Sequence, residues 1–373
     1  MEIARTKKHF FVGFLVFTLL VVLALTWINR DSSSSAADAR KFNAGNIMSD
    51  FVMTNKSSMS ETQIQAFLLS KNSCNDTNIS KAAAYPHLQY NIKNGKFVCL
   101  AEESFNGESA ARIIWQASQD YNINPQVLLV LLEKEQGLIT DTWPNNIQYR
   151  SATGYGCPDT ADCDGKYFGF KNQVRNAANF FRAYQTGNTG WYKLVWPGNK
   201  YTGTWQPFDY SLQYHPNTGC GSISTRIENR ATASLYSYTP YRPNQAALNA
   251  QSGTGDGCSS YGNRNFWMFF NDWFGPTQGF IYNSLDYSQV FDPTYYSDNN
   301  PDIKAAYGGD QAAMFYHFIF NGIYEGRQGS SSFNINSYRT RYEDLRAAYG
   351  SDIHSYVWHY ISNGRREGRV AID

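Results

Sequence analysis

The sequence carries almost no net charge. Its 32 Lys+Arg and 31 Asp+Glu leave a formal charge of +1. No basic excess therefore exists to drive sequence-independent nucleic-acid binding. Charged residues make up 17% of the chain and hydrophobic ones 42%. That balance excludes a disordered, self-repelling chain and leaves enough apolar material for a core. Metal-binding patterns are missing too. There is no HExxH and no CxxC, and the six histidines are scattered, so neither a metal nor any other cofactor is implied. No lipobox cysteine follows the apolar N-terminal run.

Aromatic residues are abundant: 27 Tyr, 24 Phe and 9 Trp, or 16% of the chain. A weakly charged, Tyr- and Trp-rich composition suits a secreted protein that handles carbohydrate, and equally suits a plain Tyr-rich surface. The 373 residues allow two or three domains.

Residues 9–28 form a run of 20 without Asp, Glu, Lys or Arg, preceded by Arg5, Lys7 and Lys8. Such a run is long enough to cross a bilayer. The positive-inside rule keeps residues 1–8 in the cytoplasm and sends the remainder outside. The expectation is a single-pass cell-membrane protein, N-terminus inside, touching the membrane through 9–28. The alternative is secretion after signal cleavage near Ala37-Asp38-Ala39. Both place the bulk of the chain outside the cytoplasm. All six cysteines (Cys74, Cys99, Cys157, Cys163, Cys220, Cys258) lie in that bulk, and an even count there reads as disulfides. Sequence neighbours suggest Cys74–Cys99, Cys157–Cys163 and Cys220–Cys258, among 15 possible pairings. A thiol peptidase with His87 or His215 as base is the competing use of one cysteine, and it strands an odd one.

Residues 29–41 read as a Ser/Ala/Asp-rich linker, 42–275 as one disulfide-stapled region, and 276–286 as a turn-rich linker. Residues 287–373 contain a repeat at a constant offset of 42. Asp302-Ile-Lys-Ala-Ala-Tyr-Gly308 aligns with Asp344-Leu-Arg-Ala-Ala-Tyr-Gly350, His317 with His359, and Glu325-Gly-Arg327 with Glu367-Gly-Arg369. Recurrence gives the two histidines a packing role. Tyr307 and Tyr349 recur in the same way. These units resemble EGR-bearing tandem repeats of bacterial surface and cell-wall proteins, which implies wall binding or simple extension.

The most informative stretch is residues 108–140. Ala110, Ile113, Ile114 and Ala117 give one helical apolar face. Asn124 is a good N-cap, Pro125 a good first helical residue and Gly137 a natural stop for the helix PQVLLVLLEKEQ. That helix is apolar nearly all round, the mark of a buried element, yet it ends in Glu133 and Glu135. Glu135 extends the apolar face of Leu128, Leu131 and Leu132 and sits at the negative end of the helix dipole. Both effects favour a protonated carboxyl, the species that protonates a glycosidic oxygen. The competing reading is a Glu that snorkels outward and pairs with Lys134.

INPQVLLVLLEKEQG resembles the helix of lysozyme-like murein hydrolases: soluble lytic transglycosylases, goose-type lysozymes and glucosaminidases. Glu135-Gln136-Gly137 stands where those families have Glu-Ser-Gly, which implies Glu135 as catalytic acid. Ser151-Ala-Thr-Gly154-Tyr155 is similar to their Ala-x-Gly-Leu-Met-Gln block, with Tyr155-Gly156-Cys157 in place of Leu-Met-Gln. Tyr167-Phe-Gly-Phe-Lys-Asn-Gln173 resembles a glucosaminidase block. The resemblance covers roughly residues 105–190. It implies a mainly α fold: a lysozyme-like helical core, an irregular disulfide-rich α+β extension and a small helical C-terminal repeat pair. The implied partner is the peptidoglycan glycan strand. Gly154, Tyr155, Tyr149, Tyr167 and Phe168 are candidate substrate contacts, with core packing as the alternative for each ring. Asp141, Asp159, Asp162 and Asp164 are candidates for a second carboxylate, none at a decisive place. The single-acid chemistry of a lytic transglycosylase is therefore favoured over a muramidase. The rival is a non-catalytic wall-binding or adhesive, haemagglutinin-like protein of lysozyme-like shape.

Overall fold

The structure, a computed structural model, describes residues 36–158, 161–187, 207–283, 285–307 and 311–372. Its contacts separate Met1–Ala37, almost all outside the described residues, from Asp38–Asp373, which everything below concerns.

About 51% of the structure is helix and 9% strand, so the chain is mainly α. Its named strands form two-stranded antiparallel hairpins: β1 (Ile92–Lys93) with β2 (Lys96–Phe97), β3 (Ser104–Phe105) with β4 (Glu108–Ser109), β5 (Phe208–Gln213) with β6 (Ser222–Ile227), and β7 (Ile281–Tyr282) with β8 (Leu285–Asp286). The helices of the first region are α1 (Asp50–Thr54), α2 (Glu61–Lys71), α3 (Ala110–Tyr121), α4 (Pro125–Gln136), α5 (Asn146–Arg150), α6 (Phe170–Thr186), α7 (Arg230–Tyr238), α8 (Gln245–Asn249) and α9 (Gly262–Phe274).

Helix α4 is the axis. The Asn124 side chain caps it by accepting from Gln126 N at 2.8 Å, Pro125 opens it, and Gly137 closes it at φ +66°. Val127 through Leu132 are at most 1% exposed, each contributing about 1.5–3 kcal/mol of apolar burial. Helices α3, α6 and α9 pack on it. The face of α3 that meets this core is Ala110, Ile113, Ile114 and Ala117, all buried.

Two ionisable side chains tie the surroundings together. Asp50 Oδ1 accepts from Ala231 N at 2.7 Å and lies 3.4 Å from Gln185 Nε2, which links α1, α7 and α6. Burial pushes its carboxyl above the ordinary value. Arg264, 1% exposed, donates from Nη1 to Ala247 O (2.7 Å) and Gly253 O (2.9 Å). No carboxylate ion-pairs with it among the described residues.

The cysteines pair as Cys74–Cys99, Cys157–Cys163 and Cys220–Cys258, and none is free. This corrects the thiol-peptidase alternative: no thiolate remains to be the nucleophile, whatever His87 and His215 do. The expected membrane segment at 9–28 lies outside the described residues. Among the described residues no helix is long and apolar enough to cross a membrane. The single-pass localisation is corrected accordingly, and the compartment signal the structure carries is its three disulfides, which fit an extracellular or secreted location.

The stretch 276–286, read as a linker, carries the β7–β8 hairpin, and Ser49 N donates to Thr277 O at 3.1 Å. Beyond it lie α10 (Pro293–Asn299), α11 (Pro301–Tyr307), α12 (Gln311–His317), α13 (Ile335–Arg341), α14 (Glu343–Tyr349) and α15 (Ile353–His359). The two 42-residue segments make matching contacts. Tyr296 Oη meets His317 Nδ1 at 2.9 Å, and Tyr338 Oη meets His359 Nδ1 at 2.9 Å. Arg327 forks onto Asp302 (2.9 and 2.8 Å) and Arg369 onto Asp344 (3.0 and 2.7 Å). The EGR signature is thus an arginine clasp reaching back to the aspartate of the preceding helix pair. Tyr307 and Tyr349 are half-buried, each beside its histidine. The first segment docks on α1, with the Phe315 ring 4.8 Å from that of Phe51.

Candidate active site

Glu135 stands at the last turn of α4, where the buried helix reaches the surface. Its side chain is 24% exposed. Lys134 Nζ lies 2.6 Å from Glu135 Oε1 and donates to Thr239 Oγ1 at 2.6 Å, with only 6% of the lysine side chain exposed. The pairing with Lys134 is thus present, and the Glu135 side chain is partly open to solvent. Gly262 admits this arrangement: a Cβ there would stand 2.5 Å from Thr239 Cγ2 and 3.5 Å from Lys134 Nζ.

Beneath the other oxygen lies Gly154. A Cβ at this position would come within 3.1 Å of Glu135 Oε2, and its φ of +70° suits glycine. The loop holding Gly154 is fixed by a fully buried amide. Gln173 Oε1 accepts from Thr153 N (3.2 Å) and Tyr155 N (3.1 Å), while Nε2 donates to Tyr155 O (2.9 Å) and Tyr167 O (2.8 Å). Tyr238 Oη adds a bond to Thr153 O at 2.8 Å. Two blocks noticed in the sequence, 151–155 and 167–173, therefore meet through one side chain and set the floor under Glu135.

Glu133 has different work. Its carboxylate accepts from Ile139 N (3.1 Å), Thr140 N (3.2 Å) and Thr140 Oγ1 (2.8 Å), clamping the chain that leaves the helix. Asp141 Oδ2 accepts from Gln148 Nε2 at 2.8 Å, and the same amide donates to Gln136 O at 2.9 Å. Asp141 and Gln148, with Tyr85, Leu88, Tyr90, Trp143 and Asn145, line a cavity of about 240 Å³ beside the end of α4. Asp164 caps a short helical turn and pairs with Lys166 at 2.8 Å. Asp162 is exposed, and Asp159 lies outside the described residues.

The candidate aromatic contacts are engaged in packing. Tyr149 sits between Phe105 (5.1 Å) and Phe170 (6.2 Å). Its hydroxyl is buried with no hydrogen-bond partner among the described residues, and burial pushes the phenol far above its ordinary value. Tyr155 meets Tyr167 edge-on at 4.8 Å. Phe168 lies under the Arg150 guanidinium at 4.6 Å. The sequence reading assigned no role to Thr239, Tyr238 or Gln173, although Gln173 lay in the block 167–173 and Tyr238 and Thr239 lie in the aromatic stretch ATASLYSYTPY, residues 231–241.

No group of three or more His, Cys, Asp or Glu is placed to hold a metal among the described residues.

Residues 46–190 match a family model described as LasA, N-terminal domain. The chain is similar to that domain from α1 to the end of α6, a span that includes Glu133, Glu135, Gly154 and Gln173. No curated protein and no solved structure matches the chain.

Proposed function

We propose that the protein acts on cell-wall peptidoglycan outside the cytoplasm and cleaves its glycan strand with Glu135, on a lysozyme-like core spanning residues 105–190. The carrying observation is the seat of Glu135: a partly exposed carboxyl on a rigid, buried helix, with Gly154 of the resembling block against its Oε2. The LasA N-terminal-domain match spans this seat. It supports a role at the cell wall and leaves open the bond attacked. In the transglycosylase form of the reaction, the carboxyl donates its proton to the departing glycosidic oxygen. The carboxylate then accepts the proton of the muramic acid C6 hydroxyl, whose oxygen bonds to C1 and closes a 1,6-anhydro ring. Lys134 positions the carboxylate between those two steps.

One observation favours a second reading. The Lys134–Glu135 pair at 2.6 Å also suits a wall-binding protein whose glutamate is structural. The test is mass spectrometry of purified peptidoglycan incubated with the full chain, its Glu135→Gln variant and a Glu133→Gln control. The expected outcome is 1,6-anhydro ends from wild type, at least a ~10²-fold loss in Glu135→Gln, and a milder loss in Glu133→Gln. Reducing muramic ends would instead mean hydrolysis. Intact strands with wild type, or cleavage undiminished in Glu135→Gln, overturn the proposal.

A further inference from the structure

A second concavity lies at the opposite end of α4 from Glu135. It is a cleft of about 960 Å³ between α1, the start of α4, the end of α9 and the first 42-residue segment. Gln126 lines it, nine residues before Glu135 on the same helix, or about 14 Å along the axis. The volume falls at the upper end of the range for small-molecule and oligomer sites.

Its lining has two chemical components. The first is aromatic. Tyr316 and Phe320 stack with planes 12° apart and centroids 6.1 Å apart, and Tyr282 meets Phe320 edge-on at 5.5 Å. Phe320 is 53% exposed, a large ring left half in water. The second component is a set of primary amides whose oxygens are already used. Asn55 Oδ1 accepts from Tyr316 Oη (2.7 Å), Gln63 Oε1 from Ser60 N (2.8 Å) and Gln126 Oε1 from Asn124 Nδ2 (3.3 Å). The NH2 groups of these three residues donate to nothing among the described residues.

The cleft therefore offers donors and ring faces. Among the described residues no Lys or Arg lines it, and the one carboxylate, Asp286, has Oδ1 accepting from Ser288 N at 2.9 Å. A phosphate-rich or acidic polymer finds no cation there. A ligand matched to this lining is neutral, rich in hydrogen-bond acceptors, and carries flat C–H faces that lie on aromatic rings. We propose that this cleft binds a neutral oligosaccharide bearing acetamido groups, whose carbonyl oxygens take the amide N–H bonds. It is a binding site distinct from Glu135 and holds whether or not Glu135 cleaves anything.

The test is calorimetric titration of the full chain with the β-1,4-linked hexamer of N-acetylglucosamine, beside the hexamer of glucose. Phe320→Ala and Gln126→Leu are the cleft variants, and Trp358→Ala, an exposed ring of the second 42-residue segment outside the cleft lining, is the control. Thermal melts confirm that each is folded. The expected result is binding of the acetamido sugar, weakened about tenfold or more in each cleft variant, unchanged in Trp358→Ala, and weaker still for the glucose hexamer. No binding by wild type overturns the proposal. So does undiminished affinity in both cleft variants, equal affinity for the glucose hexamer, or loss confined to Trp358→Ala. Because the readout is binding, failure here is separable from failure of glycan cleavage, which the mass spectrometry reads independently.

Discussion

Gly154→Ala tests whether the carboxylate at the end of α4 works in the position the structure gives it. Two costs can be separated. The first is backbone strain: φ is +70°, and an L-residue in the left-handed region costs about 1–2 kcal/mol. Spread over the unfolding entropy of the 336-residue unit, this lowers Tm by about 2 °C. The second cost is contact. The new methyl would stand 3.1 Å from Glu135 Oε2, tighter than ordinary van der Waals separation, so the carboxylate must shift by a few tenths of an ångström. If a misplacement of about 1 Å costs roughly 10²-fold, this shift costs on the order of fivefold to tenfold in turnover. Gly137→Ala is the matched control. Its φ is +66° and, among the described residues, nothing lies within 4 Å of the added Cβ, so it carries the strain without the contact. The assay pairs clearing of purified cell walls with thermal melting. The expected pattern is a similar fall in Tm for both variants and a larger loss of rate in Gly154→Ala. Equal rates in the two variants would refute the argument that Gly154 sets the position of the reacting group.

Two further outcomes are expected. The folded-state pKa of Asp50 lies above its unfolded value because of burial, so its contribution to stability is fullest below the unfolded pKa and declines as pH rises through the folded one. Tm of Asp50→Asn minus that of wild type should therefore increase from acid toward neutral pH, and a flat or falling difference contradicts the assignment. In Gly364→Ala the new Cβ would lie 2.1 Å from Tyr338 Oη and push it off His359, for a loss of about 1–3 kcal/mol. Denaturant melts of that variant and of Gly364→Ala/Tyr338→Phe check it, with partial recovery expected in the double variant and wild-type stability in the single one counting against it.

The parts of this fold that are legible in the sequence are those written in local chemistry. Asn124, Pro125 and Gly137 delimit α4 because caps and stops act within a turn, and six consecutive apolar residues leave it nowhere but the core. The 42-residue offset exposes the histidine and arginine contacts because identical neighbours recur with identical spacing. What is not legible depends on long-range placement. Lys134 was the alternative partner for Glu135, but its anchor Thr239 lies 105 residues away. The apolar face that Glu135 extends was read from its own helix, and the 24% exposure of its side chain at the terminal turn is set by what packs opposite. Tyr149, Tyr155, Tyr167 and Phe168 have the composition of a sugar platform, and tertiary packing pairs them with other rings and with Arg150. The aromatic and amide cleft escaped notice for the same reason, since residues 55, 63, 126 and 320 share no motif.

The arginine buried in α9 has a consequence for how the protein meets its surroundings. Arg264 fastens the carbonyls of Ala247 and Gly253 to the helix that packs on α4. Burial lowers its proton affinity somewhat, yet a guanidinium stays charged at any pH a cell encounters. This fastening therefore has no titration midpoint. A protein outside the cytoplasm is bathed in the acidity of its medium, without the buffering of the cell interior. A histidine or a buried lysine at the same seam would loosen as the medium turned alkaline; the arginine makes the attachment of this stretch to α9 indifferent to the weather outside.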